Sequence, residues 1–123
     1  MSKIKEVCWL SDVEEHDYPA AKAYLDLIYD NDFVHSIIRK LKNATIVEFK
    51  AKDIFRASSL SLLGVSNSHV AKNLKKIENG IKLSPILLMR DSNNGKVVIC
   101  DGYHRVCASY QYNEDCLIPC KIA

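Results

Sequence analysis

Lys96-Val97-Val98-Ile99-Cys100-Asp101-Gly102-Tyr103-His104-Arg105-Val106-Cys107-Ala108 passes from a β-branched run to a helix-like one across a single glycine. Lys96 to Cys100 reads as a strand, and the stretch Val106 to Tyr112 reads as a helix. Glycine at the junction lets the backbone turn sharply, so the unpaired N–H groups of the first helical turn point outward together and favour an anion. His104 and Arg105 fall inside that turn, where the helix dipole ordinarily disfavours cations, and an external negative group accounts for them. The segment therefore reads as a phosphate cradle formed by Gly102, Tyr103, His104 and Arg105. If Arg105 is a ligand of that phosphate, its loss should weaken binding by about 1.5–3 kcal/mol. The plain alternative is that Asp101 is an N-cap and takes the same N–H bonds itself.

Upstream of this segment, Pro85 to Arg90 is an apolar strand and Ser92-Asn93-Asn94-Gly95 a hairpin loop returning into Lys96 to Cys100. A helix capped by Asn67 or Ser66 precedes them, with Val70, Leu74 and Ile77 inward and Lys72, Lys75 and Lys76 toward water. Thr45 to Lys50 alternates as a strand, and Ala51 to Ser58 follows as a short helix. Nearer the N-terminus, a helix starting at Pro19 places Ala20, Ala23, Tyr24, Leu27 and Ile28 on one face. Asp30-Asn31-Asp32 then restarts a second helix, striped by Phe33, Val34, Ile37, Ile38 and Leu41. Leu117 to Ile122 is the last strand, and its Pro119 implies an edge or a bulge. The order ααβααββαβ predicts an α/β or α+β fold with a small mixed sheet flanked by helices.

With 123 residues, 48% hydrophobic and 26% charged, the composition is that of one globular domain. No apolar run approaches the roughly 20 residues needed to span a bilayer. The N-terminal stretch is broken by acids before a signal-peptide core develops, which points to the cytoplasm. Five cysteines mostly lie in apolar segments, as buried reduced thiols do, and they lack a close C-x₂-C knuckle for zinc. A net charge of +2 does not by itself argue for nucleic acid.

Three stretches together resemble the ParB N-terminal and sulfiredoxin superfamily. They are Ile77-Glu78-Asn79-Gly80, then Leu83-Ser84-Pro85-Ile86-Leu87-Leu88, then Val98-Ile99-Cys100-Asp101-Gly102-Tyr103-His104-Arg105-Val106-Cys107-Ala108. The likeness covers about Thr45 to Ile122, with residues 1–44 as a helical extension and 45–123 as the ParB/sulfiredoxin-like core. It implies a nucleoside triphosphate, ATP or CTP with Mg²⁺, as ligand. Gly102 would form the turn, His104 and Arg105 would meet the phosphates, and Ala108 would allow close helix packing. Sulfiredoxins place a reactive cysteine immediately before the His-Arg pair, where this chain has Tyr103, so sulfinic acid reduction is not expected. The length suits a small stand-alone relative, without the DNA-binding and dimerisation domains that follow this module in partition proteins.

Other groups add candidates. Glu14-Glu15-His16-Asp17 gathers carboxylates beside a histidine, and Glu14, Glu15 or Asp101 would supply a base or a metal ligand for terminal phosphate hydrolysis or transfer. The plain reading of that run is an acidic helix flank. Lys50 and Lys52 follow the first strand, where α/β sites draw residues, and would add charge around a triphosphate, with Asp53 orienting Arg56. They equally suit a solvated helix face. His69 reads as a surface residue. Residues 58–77 resemble a helix-turn-helix with Leu63-Gly64-Val65-Ser66 at the turn, which makes DNA an alternative partner and a noncatalytic regulatory module an alternative function. A decayed nucleotide site turned to binding a partner protein is the third reading.

Overall fold

The computed structural model describes residues 6–64 and 66–123. Their elements are α1 (Asp17–Leu25), α2 (Asn31–Asn43), β1 (Val47–Lys50), α3 (Ala51–Ser58), α4 (Ser68–Glu78), β2 (Ile86–Asp91), β3 (Lys96–Asp101), α5 (Tyr103–Tyr112) and β4 (Leu117–Ile122), with a 3-10 turn at Ser92–Asn94. The four strands form one mixed sheet in the order β1-β4-β2-β3. β1 with β4 and β2 with β3 are antiparallel, whereas β2 and β4 are parallel. The fold is thus α+β, in the element order that the apolar patterning predicts.

β2 is apolar at every position from Ile86 to Met89 because the sheet is covered on both sides. Successive side chains on a strand point to opposite faces. Leu87 and Met89 pack on one face with Ala21, Leu25, Val34, Ile37 and Leu41 of α1 and α2. Ile86 and Leu88 pack on the other with Ile54 of α3 and Val106 of α5. α4 lies against α5 through Val70, Ile77, Cys107 and Ala108. The two N-terminal helices therefore build half of the core. Lys121 is buried between layers, its Nζ donating to Tyr18 Oη at 3.1 Å and to the Lys42 carbonyl at 3.2 Å near the end of α2. A cation there meets carbonyls left unpaired at a helix C-terminus.

Local signals account for several helix boundaries. Asp30 Oδ1 accepts the Phe33 N–H at 2.9 Å, and Asn67 Oδ1 accepts the N–H groups of His69 and Val70 at 3.0 and 3.3 Å.

Three expectations are corrected. α1 begins at Asp17, and its buried face is Asp17, Tyr18, Ala21 and Leu25. Leu27 and Ile28 fall after the helix ends and are 85% and 49% exposed. The stripe that turns inward is Tyr18, Ala21 and Leu25, with the acid Asp17 buried beside it. Pro119 is not on an edge, since β4 is an inner strand. The Ala123 N–H donates to Leu88 O, so Lys121 and Pro119, at two-residue steps, turn the same side toward β2. The parallel ladder begins at the pair Ile86 and Cys120, so the missing N–H of Pro119 lies beyond it. Nor does a helix-turn-helix form. α3 ends at Ser58, Ser59 is left-handed with φ 58°, and residues 60–64 are not helical. A helix-turn-helix needs a helix there and a turn of about 3–4 residues.

Candidate functional site

β3 ends at Asp101, Gly102 takes φ +103°, and α5 starts at Tyr103. A Cβ on Gly102 would sit 2.4 Å from Ile86 Cδ1 and 2.8 Å from Arg105 Nη2. Both the left-handed backbone and the close approach demand glycine here. No side chain caps this helix start, and the first helical bond runs from the Val106 N–H to Gly102 O at 3.0 Å. Asp101 is therefore not the N-cap that the plain reading expects.

Asp101 instead binds Arg105, whose Nη2 lies 2.9 Å from its Oδ2. Arg105 Nη1 lies 3.3 Å from Asp17 Oδ2, and the same oxygen accepts the Ser84 hydroxyl at 2.6 Å. The Arg105 and Asp17 side chains are only 15% and 5% exposed. Burial pushes the Asp101 carboxyl above its ordinary range, against the pull of Arg105. Arg105 is thus a strut joining α1, β3 and α5 rather than an open guanidinium.

The acidic N-terminal segment is carried to this place by backbone pairing. The Leu10 N–H donates to Leu83 O at 2.8 Å, and the Leu83 N–H to Cys8 O at 2.9 Å. Further along, the Glu14 N–H donates to Ser84 Oγ at 3.0 Å. The result is a cavity of about 350 Å³ over the start of α5, walled by Glu14, His16, Asp17 and Ser84 on the N-terminal side. α4 contributes His69, Asn73 and Lys76, and Lys82 comes from the loop after it. The volume is within the usual range for small-ligand sites, about 300–1,000 Å³.

The His104 and His69 rings are tilted against each other with centres 4.8 Å apart, and the Tyr103 ring stacks on His104 at 5.7 Å. Tyr103 Oη donates to the Ser61 carbonyl, which ties the connection before α4 to the helix start. Burial, and then the neighbouring His69, hold the His104 imidazole below its ordinary pKa. His16 sits between acids, 3.5 Å from Glu14 Oε2 and 3.4 Å from Asp17 Oδ1.

Of the residues singled out in the sequence, Glu14, Asp101, Gly102, Tyr103, His104 and Arg105 all border this cavity. Glu15 does not: it is 85% exposed and lies 3.7 Å from Lys42. Lys50 and Lys52 do not either. β1 and β3 run in the same direction, so Lys50 is at the correct end of the sheet, but the two strands are opposite edges, roughly 14 Å apart at the usual strand spacing. Lys52 Nζ is 2.6 Å from Asp115, and this hydrogen bond raises its pKa. Asp53 and Arg56 are 3.9 Å apart at helical spacing, as expected, and also away from the cavity.

Ser84, Lys76, Lys82 and His69 also border the cavity, although the sequence does not mark them as site residues. A signal was present for α4, since His69, Asn73 and Lys76 recur at i, i+4 and i+7 and form a polar stripe beside the apolar one of Val70, Leu74 and Ile77.

All five cysteines are free, and burial pushes both the Cys100 and Cys120 thiols up to about 12. Cys107, in the second turn of α5, is raised by burial as well. These are structural thiols rather than nucleophiles. Among the described residues no three His, Cys, Asp or Glu side chains converge as a metal site, and no helix is long and apolar enough to cross a membrane. Comparison with protein-family models, with curated proteins and with solved structures finds no match to this chain.

Proposed function

We propose that this chain is a small nucleotide-binding protein that holds the phosphate end of a nucleoside triphosphate, ATP or CTP, over the start of α5. The observation that carries the reading is the Gly102 junction, a helix start without a side-chain cap that opens into a cavity bordered by His104, His69, Lys76 and Lys82. Backbone N–H groups at such a start attract anions, and the surrounding donors select phosphate oxygens. The resemblance of residues 45–122 to the ParB N-terminal and sulfiredoxin superfamily supports the same position for the ligand. Arg105 acts in this reading by holding the helix start in place, while His104 and the lysines meet the ligand.

The donor set suits phosphate better than Mg²⁺. Asp17 and Asp101 are engaged by Arg105, which leaves Glu14 as the carboxylate in the cavity that Arg105 does not hold. The proposal is therefore one of binding, and the free, buried thiols suit a cytoplasmic setting.

Thermal melting with ATP, CTP, GTP and ADP, each with and without Mg²⁺, tests it. A bound nucleotide at 100 times its Kd should stabilise the protein by about 2.7 kcal/mol, a rise in Tm of roughly 10 °C for a domain of this size. Stabilisation should persist without Mg²⁺ and shrink in His104→Asn. An unmoved Tm with every nucleotide at millimolar concentration would overturn the reading.

A further inference from the structure

Three of the four histidines in this chain, His16, His69 and His104, come from different parts of the fold to one cavity. The fixed charges around them cancel. Glu14, Asp17 and Asp101 bring three negative charges, and Lys76, Lys82 and Arg105 bring three positive ones. A polyanion entering this space meets no net fixed charge, and the most buried cation is already shared by two carboxylates. Beyond the backbone N–H groups of the helix start, the positive charge these side chains can still add is a proton on a histidine.

We infer that the site takes a terminal phosphate group in its dianionic form, and that binding draws a proton onto the His69–His104 pair. The inference rests on the proposed phosphate site and adds the ionic form of the ligand and the proton coupled to it.

Two imidazoles with ring centres 4.8 Å apart repel when both are protonated, and burial already disfavours the charged form of His104. The imidazolium form of His104 is therefore disfavoured in the free protein. A dianion beside it reverses the balance, because an opposite charge at close range favours imidazolium and each protonated ring then donates a charge-assisted bond. Of the other groups around the cavity, Tyr103 is raised above its ordinary value by burial. A phosphodiester, with one fixed negative charge, lacks the second charge that drives the uptake.

Titration calorimetry of the full chain with Mg²⁺-free ATP at pH 7.5, in two buffers of different ionisation enthalpy, counts the protons. At that pH a phosphate with a second pKa near 6 is already mostly dianionic, so protons taken up belong to the protein. We expect an uptake of about half to one proton per ATP, with affinity rising up to about tenfold per pH unit as pH falls from 8 to 7. His69→Asn and His104→Asn should each reduce both the uptake and the affinity while leaving the apo melting curve in place, and 3′,5′-cyclic AMP should bind far more weakly. Binding without buffer-dependent heat, or uptake that persists in both variants, overturns this inference and leaves the phosphate site standing. Absence of ATP binding in either buffer removes both.

Discussion

Gly102→Ala is expected to destabilise the protein by about 2–4 kcal/mol, from about 1–2 kcal/mol for forcing a side chain into a left-handed backbone and about 1–3 kcal/mol for crowding. The new Cβ would press on Ile86 Cδ1 and on the Arg105 guanidinium. Ile86 is fully buried, so its terminal methyl can yield only into packed neighbours, while Arg105 can move only by loosening its bonds to Asp17 and Asp101. The same change should therefore weaken nucleotide binding in whatever fraction stays folded. Urea unfolding followed by far-ultraviolet circular dichroism measures the first effect. A midpoint equal to that of the native chain would mean that the junction has room the geometry denies.

Arg105→Ala is expected to act on the fold more than on the ligand. Removing one partner of a buried ion pair leaves the other charge uncompensated, at a cost of about 3–5 kcal/mol. Here Asp101 and Asp17 are both stranded, and Asp17, whose side chain is 5% exposed, is left with the Ser84 hydroxyl, the edge of His16 and its hydrogen bond with Asp101. Adding Asp17→Asn to the variant should recover much of the loss, because the buried charge is gone and the amide still meets Ser84. The comparison of the single and double variants by urea unfolding separates a strut from a ligand. If the single variant unfolds at the native midpoint and loses nucleotide affinity alone, then Arg105 serves the ligand directly, as its place in the sequence first suggests.

The strand, hairpin, strand and helix of residues 86–112 could be read in the sequence because each is encoded locally, by a β-branched run, a turn loop and a glycine junction. The same is true of α2, whose Val34, Ile37 and Leu41 recur at helical spacing and lie buried where expected. In α1 two apolar stripes compete, and the buried one is Tyr18, Ala21 and Leu25, beside the Asp17 carboxylate that meets an arginine 88 residues away. No pattern of hydrophobic residues carries that pairing. Within the site, His104 and Gly102 could be found from their neighbours in the chain, and Glu14 from its acidic company. Ser84 and Lys82 could not, because the pairing of Cys8 and Leu10 with Leu83 brings the two segments together. Lys50 and Lys52 show the opposite failure. The rule that sites gather at strand ends selected the right end of the sheet, but strand order put β1 on the far edge.

Backbone amide chemical shifts of uniformly ¹⁵N-labelled protein, followed while ATP is added, report on the start of α5 more directly than any variant can. Saturable shifts should be largest at Gly102, Tyr103, His104 and Arg105, with His69 and Lys76 moving in parallel and Lys50 and Lys52 still. A spectrum that does not change, or one whose shifts gather around β1 and leave residues 102–105 in place, would contradict a phosphate site at this helix start.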